Sequence, residues 1–264
     1  MKTDCSFKVL LFSVVFILTL ACYKDNASAE TVITVGPTGT YRTISEAVAV
    51  ALPGTTVFVQ NGVYNESVKV FLNISIVGES RDGVILQYPC TYYQFPPLEA
   101  HCGVFKNLTI KALPAATGVA GVRAYAVHCE KAYSLAGTAI HFENCRFESA
   151  GNWDVGMGSC NGFTANFNNC CFDNFGFFYH TFGSYTGMPI SAALNLNNCT
   201  FSATSSLAVR NCFANSSVLK VNVNGTQLPT MGMTAVTSCA DVLGGPVIDN
   251  NYKFGAKNVI WSEQ

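Results

Sequence analysis

Charge is scarce in this chain. Asp, Glu, Lys and Arg make up 12% of 264 residues, against roughly 25% in an average soluble domain. The net charge is −1, and no stretch gathers lysines and arginines. Nucleic-acid binding needs clustered cations to neutralise phosphates, so no nucleic-acid partner is expected. Long apolar runs are also missing. The longest, Val9 to Ala21, is shorter than the roughly 20 residues of a membrane-spanning helix. No His/Cys spacing fits a zinc site, and the aspartates are too scattered for a calcium loop. No metal or cofactor is therefore expected. Helix signals are confined to one short segment.

What is abundant is glycine (22), phenylalanine (19) and asparagine, in a chain that is 49% hydrophobic. That profile suits many turns around a long apolar interior. Residues 1–29 read as a signal peptide. Lys2 and Lys8 precede the apolar run, and Ala27-Ser28-Ala29 offers a small-residue cleavage site. A second reading stays open: Leu20-Ala21-Cys22 has the form of a lipoprotein box. The expected location is then extracellular, or the cell surface through a lipid on Cys22. A membrane partner is expected only in that second case. Residues 30–264 read as one domain. Removing residues 1–29 takes away Cys5 and Cys22 and leaves an even number of cysteines. Disulfides are permitted in an oxidising compartment, but the spacing does not dictate them.

The mature start reads as a short strand and a Gly36-Pro37-Thr38-Gly39 turn, followed by a helix from Ile44 to Leu52. Thr43 and Glu46 form a capping-box pair. Ile44, Ala47, Val48, Ala51 and Leu52 lie on one stripe, and Pro53-Gly54 ends it. After it come strands of three to five residues without the rhythm of hairpins. The decisive signal is repetition. Phe142-Glu143-Asn144-Cys145-Arg146-Phe147 recurs as Phe167-Asn168-Asn169-Cys170-Cys171-Phe172 and as Leu196-Asn197-Asn198-Cys199-Thr200-Phe201. Phe105 to Ile110 is a looser copy. The flanking apolar residues point inward, the polar one points out, and Asn occupies the bend, where its amide can bond along a stack. Cys145, Cys170 and Cys199 then occupy equivalent interior positions, where stacked free thiols are expected. The fold class is all-β: a single-stranded right-handed parallel β-helix with a short N-terminal capping helix. At roughly 25 residues per coil and about 4.8 Å of rise per coil, about nine coils make a column on the order of 40 Å. Val218 to Val223 alternates like a coil strand, Thr230 to Asp249 reads as loop, and Tyr252 to Trp261 as a second cap.

The order Tyr41 to Val48, Pro53 to Val59, Gly62-Val63-Tyr64-Asn65-Glu66 and Ile74 to Glu79 resembles the N-terminal part of pectin methylesterases and related β-helix proteins. The resemblance runs over roughly residues 32–175. It implies an aspartate esterase: an Asp nucleophile, an Asp acid/base, two Gln on the oxyanion and an Arg orienting the nucleophile. Carried over by position, the acid/base is Asp154 in Trp153-Asp154. The nucleophile is Asp173 in a displaced Asp173-Asn174-Phe175-Gly176. Tyr125, in Tyr125-Ala126-Val127, stands where the family has its first Gln, and Trp153 where it has the second. The Arg motif has no match.

The remaining candidates come from the residues themselves. Asp154 and Trp153 lie among Gly151, Gly156 and Gly158, as an acid and a sugar-stacking ring on a cleft would. The plain alternative is a solvated loop acid. Asp173 is a nucleophile or a turn former. His180, in an aromatic run from Phe175 to Tyr185, is a substrate-binding base or a packed loop histidine. His128 and His141 alternate with apolar residues and are expected to face outward. The functional expectation is a secreted, polysaccharide-associated β-helix with an incomplete pectinesterase set, a hydrolase if active. The alternative is a non-catalytic glycan-binding or surface-structural β-helix.

Overall fold

The structure, a computed structural model, describes residues 31–89, 96–114, 125–131, 139–150, 153–159, 164–174, 176–181, 191–211, 218–228, 234–236 and 259–263. Three parallel sheets run along the chain, of nine, seven and six strands. Each turn of the chain contributes one short strand to each sheet before the next turn repeats the path. In the nine-stranded sheet, Ala139–Glu143, Thr164–Asn168, Ser191–Asn197 and Val218–Asn224 lie in successive register. The column is an all-β parallel β-helix.

The Asn-Cys step shows why the sequence repeats. Asn107, Asn144, Asn169 and Asn198 all have positive φ, between 50° and 55°. This left-handed conformation is costly for most side chains and tolerated by Asn. The chain therefore turns from the nine-stranded sheet into the six-stranded one at an Asn. The Asn144 N–H donates to Asn168 O, Asn169 to Asn197 O and Asn198 to Asn224 O. Asn144 Nδ2 also donates to Asn107 Oδ1 at 2.9 Å. One turn later Gly225 fills the position with φ 57°.

The Cys that follows must be small and apolar, because it enters the core. Cys145, Cys170 and Cys199 are buried free thiols. Cys145 Sγ–H donates to Phe105 O and Cys199 Sγ–H to Phe167 O. Phenylalanines fill the remaining interior. Phe105, Phe142 and Phe167 stack at 5.0 Å centroid spacing. Phe147, Phe172 and Phe201 form a second stack at 5.2 and 4.6 Å. Each buried ring contributes about 2–3 kcal/mol by area, and stacking adds roughly 0.5–1.5 kcal/mol per pair. Outside, Asn222 Nδ2 donates to Asn195 Oδ1, and Asn195 Nδ2 to Asn166 Oδ1, at 2.6 and 2.7 Å.

The helix spans Ile44–Val50 and carries the expected capping box. It stops earlier than the apolar stripe suggests. Ala51 is already extended (ψ 140°) and Leu52 is 72% exposed, because Thr55 Oγ1 takes the Leu52 N–H and turns the chain. Ile44, Ala47 and Ala51 close the first coil from above, within the same core cluster. The helix start is held from the next coil. Glu66 accepts the Ile44 N–H on Oε1 and the Ser45 N–H on Oε2, both at 2.8 Å. Tyr64 Oη donates to Gln60 O, and Glu79 accepts the Asn61 N–H. The motif that carries the family resemblance is thus the joinery of the N-terminal coils.

Val218–Asn224 is a rung, as its alternation implies. Val259–Glu263 pairs parallel to it and extends the nine-stranded sheet as a further rung, while residues 252–258 of the expected second cap lie outside the described residues. Its backbone donors and acceptors are met by the open sheet edge. Within the expected loop 230–249, Thr234–Val236 is a strand of the seven-stranded sheet.

Candidate functional site

Four of the five sequence-derived site residues, Tyr125, Trp153, Asp154 and His180, lie on the seven-stranded sheet. Tyr125 pairs with Trp153, and Gly158 with His180 on the next rung. The side chains of Trp153 and His180 lie outside the described residues. Asp173 stands on the turn that leads into this sheet.

Asp154 departs from the plain alternative of a solvated loop acid. It belongs to the strand Trp153–Ser159 and is fully buried. Its neighbour Val155 is core, so alternation places Asp154 on the outer face. There its Oδ2 accepts the backbone N–H of Asn174 at 3.1 Å and of Gly176 at 3.0 Å. The carboxylate is a clamp on the turn of the next rung, not a solvated loop acid. The turn is tied on its other side by Asn174 Nδ2, which donates to Ser149 O.

Asp173 is directed elsewhere. Its Oδ2 pairs with Arg146 Nε at 3.2 Å, and Arg146 Nη1 reaches Asp82 Oδ1 at 3.2 Å. Burial pushes the Asp173 carboxyl above the usual range, with Arg146 pulling the other way. Asp154 and Asp173 are therefore brought to one turn through Asn174, but their carboxylates are taken up by different partners.

Tyr125 is 4% exposed. Its ring lies over Gly156, where an added Cβ would come within 2.4 Å of the ring. This close approach requires glycine. The ring also stacks on His128, with centroids 5.3 Å apart and planes 21° apart.

That stack leads to a cluster the sequence reading missed. Lys69, Glu99 and His128 follow one another in register on three adjacent strands. Each is flanked by core residues: Val68 and Val70, Leu98 and Ala100, Val127 and Cys129. All three therefore stand on the outer face. Glu99 Oε2 meets His128 Nδ1 at 2.6 Å, and Oε1 meets His101 Nε2 at 3.0 Å. Glu99 and His128 are each only 7% exposed. Burial raises the Glu99 pKa, but the hydrogen bonds and charges of the two imidazoles outweigh it, and its pKa is lowered. The His101 ring lies tilted against the exposed ring of Phe71, centroids 4.5 Å and planes 50° apart. His128 does face outward, as expected, yet it is covered by this packing. His141 is outward and exposed. The signal available in the sequence was a polar residue centred in three successive apolar triplets, one rung apart.

Among the described residues, no group of three or more His, Cys, Asp or Glu is placed to hold a metal ion. No helix of the described residues is long and apolar enough to cross a membrane.

No family model matches the sequence, and no curated protein matches it. Solved structures do. The pectin methylesterase of Aspergillus niger is 13% identical, with 90% of this chain and 86% of that chain covered, at a TM-score of 0.51. The carrot pectin methylesterase is 14% identical over 83% of this chain and 67% of its own, at 0.50. The rice weevil enzyme is 11% identical over 89% of both, at 0.50. At such identity the likeness speaks for the backbone path alone. Together with the three parallel sheets and the Asn-turn repeat, it establishes that the chain has the pectin methylesterase-like, right-handed parallel β-helix fold.

Proposed function

We propose that this protein is a secreted, polysaccharide-associated β-helix whose pectinesterase set is incomplete, so that it binds glycan rather than hydrolysing it. The observation that carries this reading is the position of Asp154. A general acid must reach a leaving oxygen. Here the carboxylate is fully buried and holds two backbone N–H groups of the next turn. Asp173, the other acid, is paired with Arg146. Tyr125 covers Gly156 instead of presenting an amide to an oxyanion. Just past the strands Val68–Val70 and Leu98–Ala100 of the seven-stranded sheet, the exposed ring of Phe71 lies beside His101, and an aromatic ring next to a hydrogen-bonding side chain suits a sugar surface. Export through the leader of residues 1–29, or anchoring through Cys22, belongs to the same proposal.

The test is methanol release from methyl-esterified pectin, run beside binding to the same polymer. Binding without methanol, across pH and degrees of esterification, supports the proposal. Methanol release that is lost in a folded Asp154→Asn variant overturns it in favour of an active esterase.

A further inference from the structure

We propose that Asn73, and not the corner residue Asn107, carries an N-linked glycan whose first sugar covers the exposed ring of Phe71. The proposal rests on export of the chain, and it gives the chain's own sugar first claim on a ring that also suits a free polysaccharide.

Seven Asn-x-Ser/Thr sequences occur, at Asn26, Asn65, Asn73, Asn107, Asn198, Asn215 and Asn224. A bulky, polar glycan fits the folded chain only where the Asn amide stands free at the surface. Asn26 and Asn215 lie outside the described residues. Asn107 and Asn198 are corner residues, with φ 55° and 50°. The Asn107 amide is built into the column: its Nδ2 donates to Gly78 O at 3.3 Å, and its Oδ1 accepts from Asn144 Nδ2. A sugar on that nitrogen competes with the rungs on both sides. Asn65 Oδ1 accepts from Gln87 Nε2. Asn73 and Asn224 differ. Both are exposed, and among the described residues no hydrogen bond involves either side chain.

What singles out Asn73 is the apolar surface around it. Phe71 and Leu72 precede it and are 55% and 44% exposed. The turn itself is fixed: Ile74 N–H donates to Leu72 O, and Gly54 N–H donates to Asn73 O at 2.8 Å. That second bond ties on the turn that carries the exposed Leu52. His101 takes one side of the Phe71 ring and leaves the rest to solvent. Adjoining exposed apolar side chains of this kind mark a surface that something covers. Phe71 lies two residues before Asn73, no more than about 7 Å along the chain. A sugar on Nδ2 can therefore set its apolar face on the ring. The transfer is a substitution at the anomeric carbon of a lipid-diphosphate-linked oligosaccharide. The bond from that carbon to Asn73 Nδ2 forms, the bond to the diphosphate oxygen breaks, the lipid diphosphate leaves and the amide gives up one proton. Once attached, the sugar meets Phe71 as an intramolecular partner and competes with any free polymer.

The experiment expresses the full chain, leader included, in a eukaryotic secretory host and maps the glycans of the exported protein by peptide mass spectrometry. Asn73 is expected to be occupied in most chains and Asn107 to be bare. Trimming to a single sugar then allows an NMR readout in the unmutated protein: the ring current of Phe71 should displace the proton signals of the sugar on Asn73 upfield, and Phe71→Ala should remove the displacement. Methyl-esterified pectin should bind the glycosylated chain at least about twofold more weakly than Asn73→Gln, the loss expected when the tethered sugar fills the ring half of the time. An exported chain with Asn73 bare, or with Asn107 occupied as fully as Asn73, overturns the proposal and leaves export and polysaccharide binding standing. Occupancy of Asn73 with undisplaced sugar signals overturns the covering of Phe71, and the proposal with it. Absence of pectin binding by either chain overturns the polysaccharide reading, while the mass map and the sugar signals still decide on Asn73. A chain that never enters the secretory route overturns export and this proposal together.

Discussion

Replacing Glu66 by alanine should loosen the N-terminal cap. The carboxylate takes two N–H groups from the first turn of the helix, at 2.8 Å each. These belong to the donors that a helix cannot satisfy internally, and the positive end of its dipole adds to the attraction. A hydrogen bond to a charged group is worth about 1.5–3 kcal/mol when buried, and less when partly exposed as here. We take about 1 kcal/mol per bond, hence about 2 kcal/mol for the pair. Thr43 continues to cap Glu46 N–H, so the helix does not lose every N-terminal partner. In a stacked fold this loss need not spread through the column, since each rung rests mainly on its neighbours. The suitable assay is native-state hydrogen exchange at the amides of Ala47, Val48 and Ala51. About 2 kcal/mol corresponds to a roughly 30-fold increase in local opening. Amides at Phe142 and Phe167 should change far less. Glu66→Gln keeps an acceptor and should fall between. An unchanged cap would refute the reasoning, because Glu66 would then be available for a role outside the fold.

Further expectations follow from single side chains. Asp154→Ala strands the buried Gly176 N–H and the part-buried Asn174 N–H and should lower stability by about 1–3 kcal/mol in urea unfolding, whereas a purely catalytic acid would leave stability unchanged or raised. Glu99 has a lowered folded pKa, so its contribution is present above its unfolded value and is lost as pH falls through the folded one. Glu99→Gln should therefore flatten the acid limb of stability between roughly pH 5 and 3. For Asp173 the sign reverses. Its pKa is raised, so ionisation costs stability as pH rises past the normal carboxylate range, and Asp173→Asn should be neutral to stabilising at pH 7. Thiol alkylation of the native protein at pH 8 should modify the half-exposed Cys102 and Cys171 and spare Cys129, Cys145, Cys170 and Cys199. Burial pushes the Cys170 thiol far up, and a hydrogen bond with the Cys170 thiol together with burial does the same for Cys199.

The column was legible in the sequence because its corner demands particular chemistry in every rung. A left-handed bend selects Asn, and the small core position after it selects Cys, so Asn144-Cys145, Asn169-Cys170 and Asn198-Cys199 announce themselves. The helix was legible for the same reason, through Thr43 and Glu46. Its end was not, since the side chain that diverts the chain at Leu52 is Thr55, outside the apolar stripe. The site was only half legible. Motif position led to Asp154, but nothing local tells a carboxylate facing a substrate from one facing the amides of Asn174 and Gly176. Those amides belong to the following rung. Glu99 and His128 are 29 residues apart, and only the neighbouring Glu99–His101 pair is local in sequence. A pairing made across rungs leaves no short motif. It shows only when the strands are set in register.

The most direct test of the account is one calorimetric titration of methyl-esterified pectin into the protein. The account predicts a saturable binding heat that returns to baseline after each injection. A sustained displacement of the baseline, the heat of continuing ester hydrolysis, would contradict the incomplete catalytic set. No binding heat at any degree of esterification would contradict the association with polysaccharide.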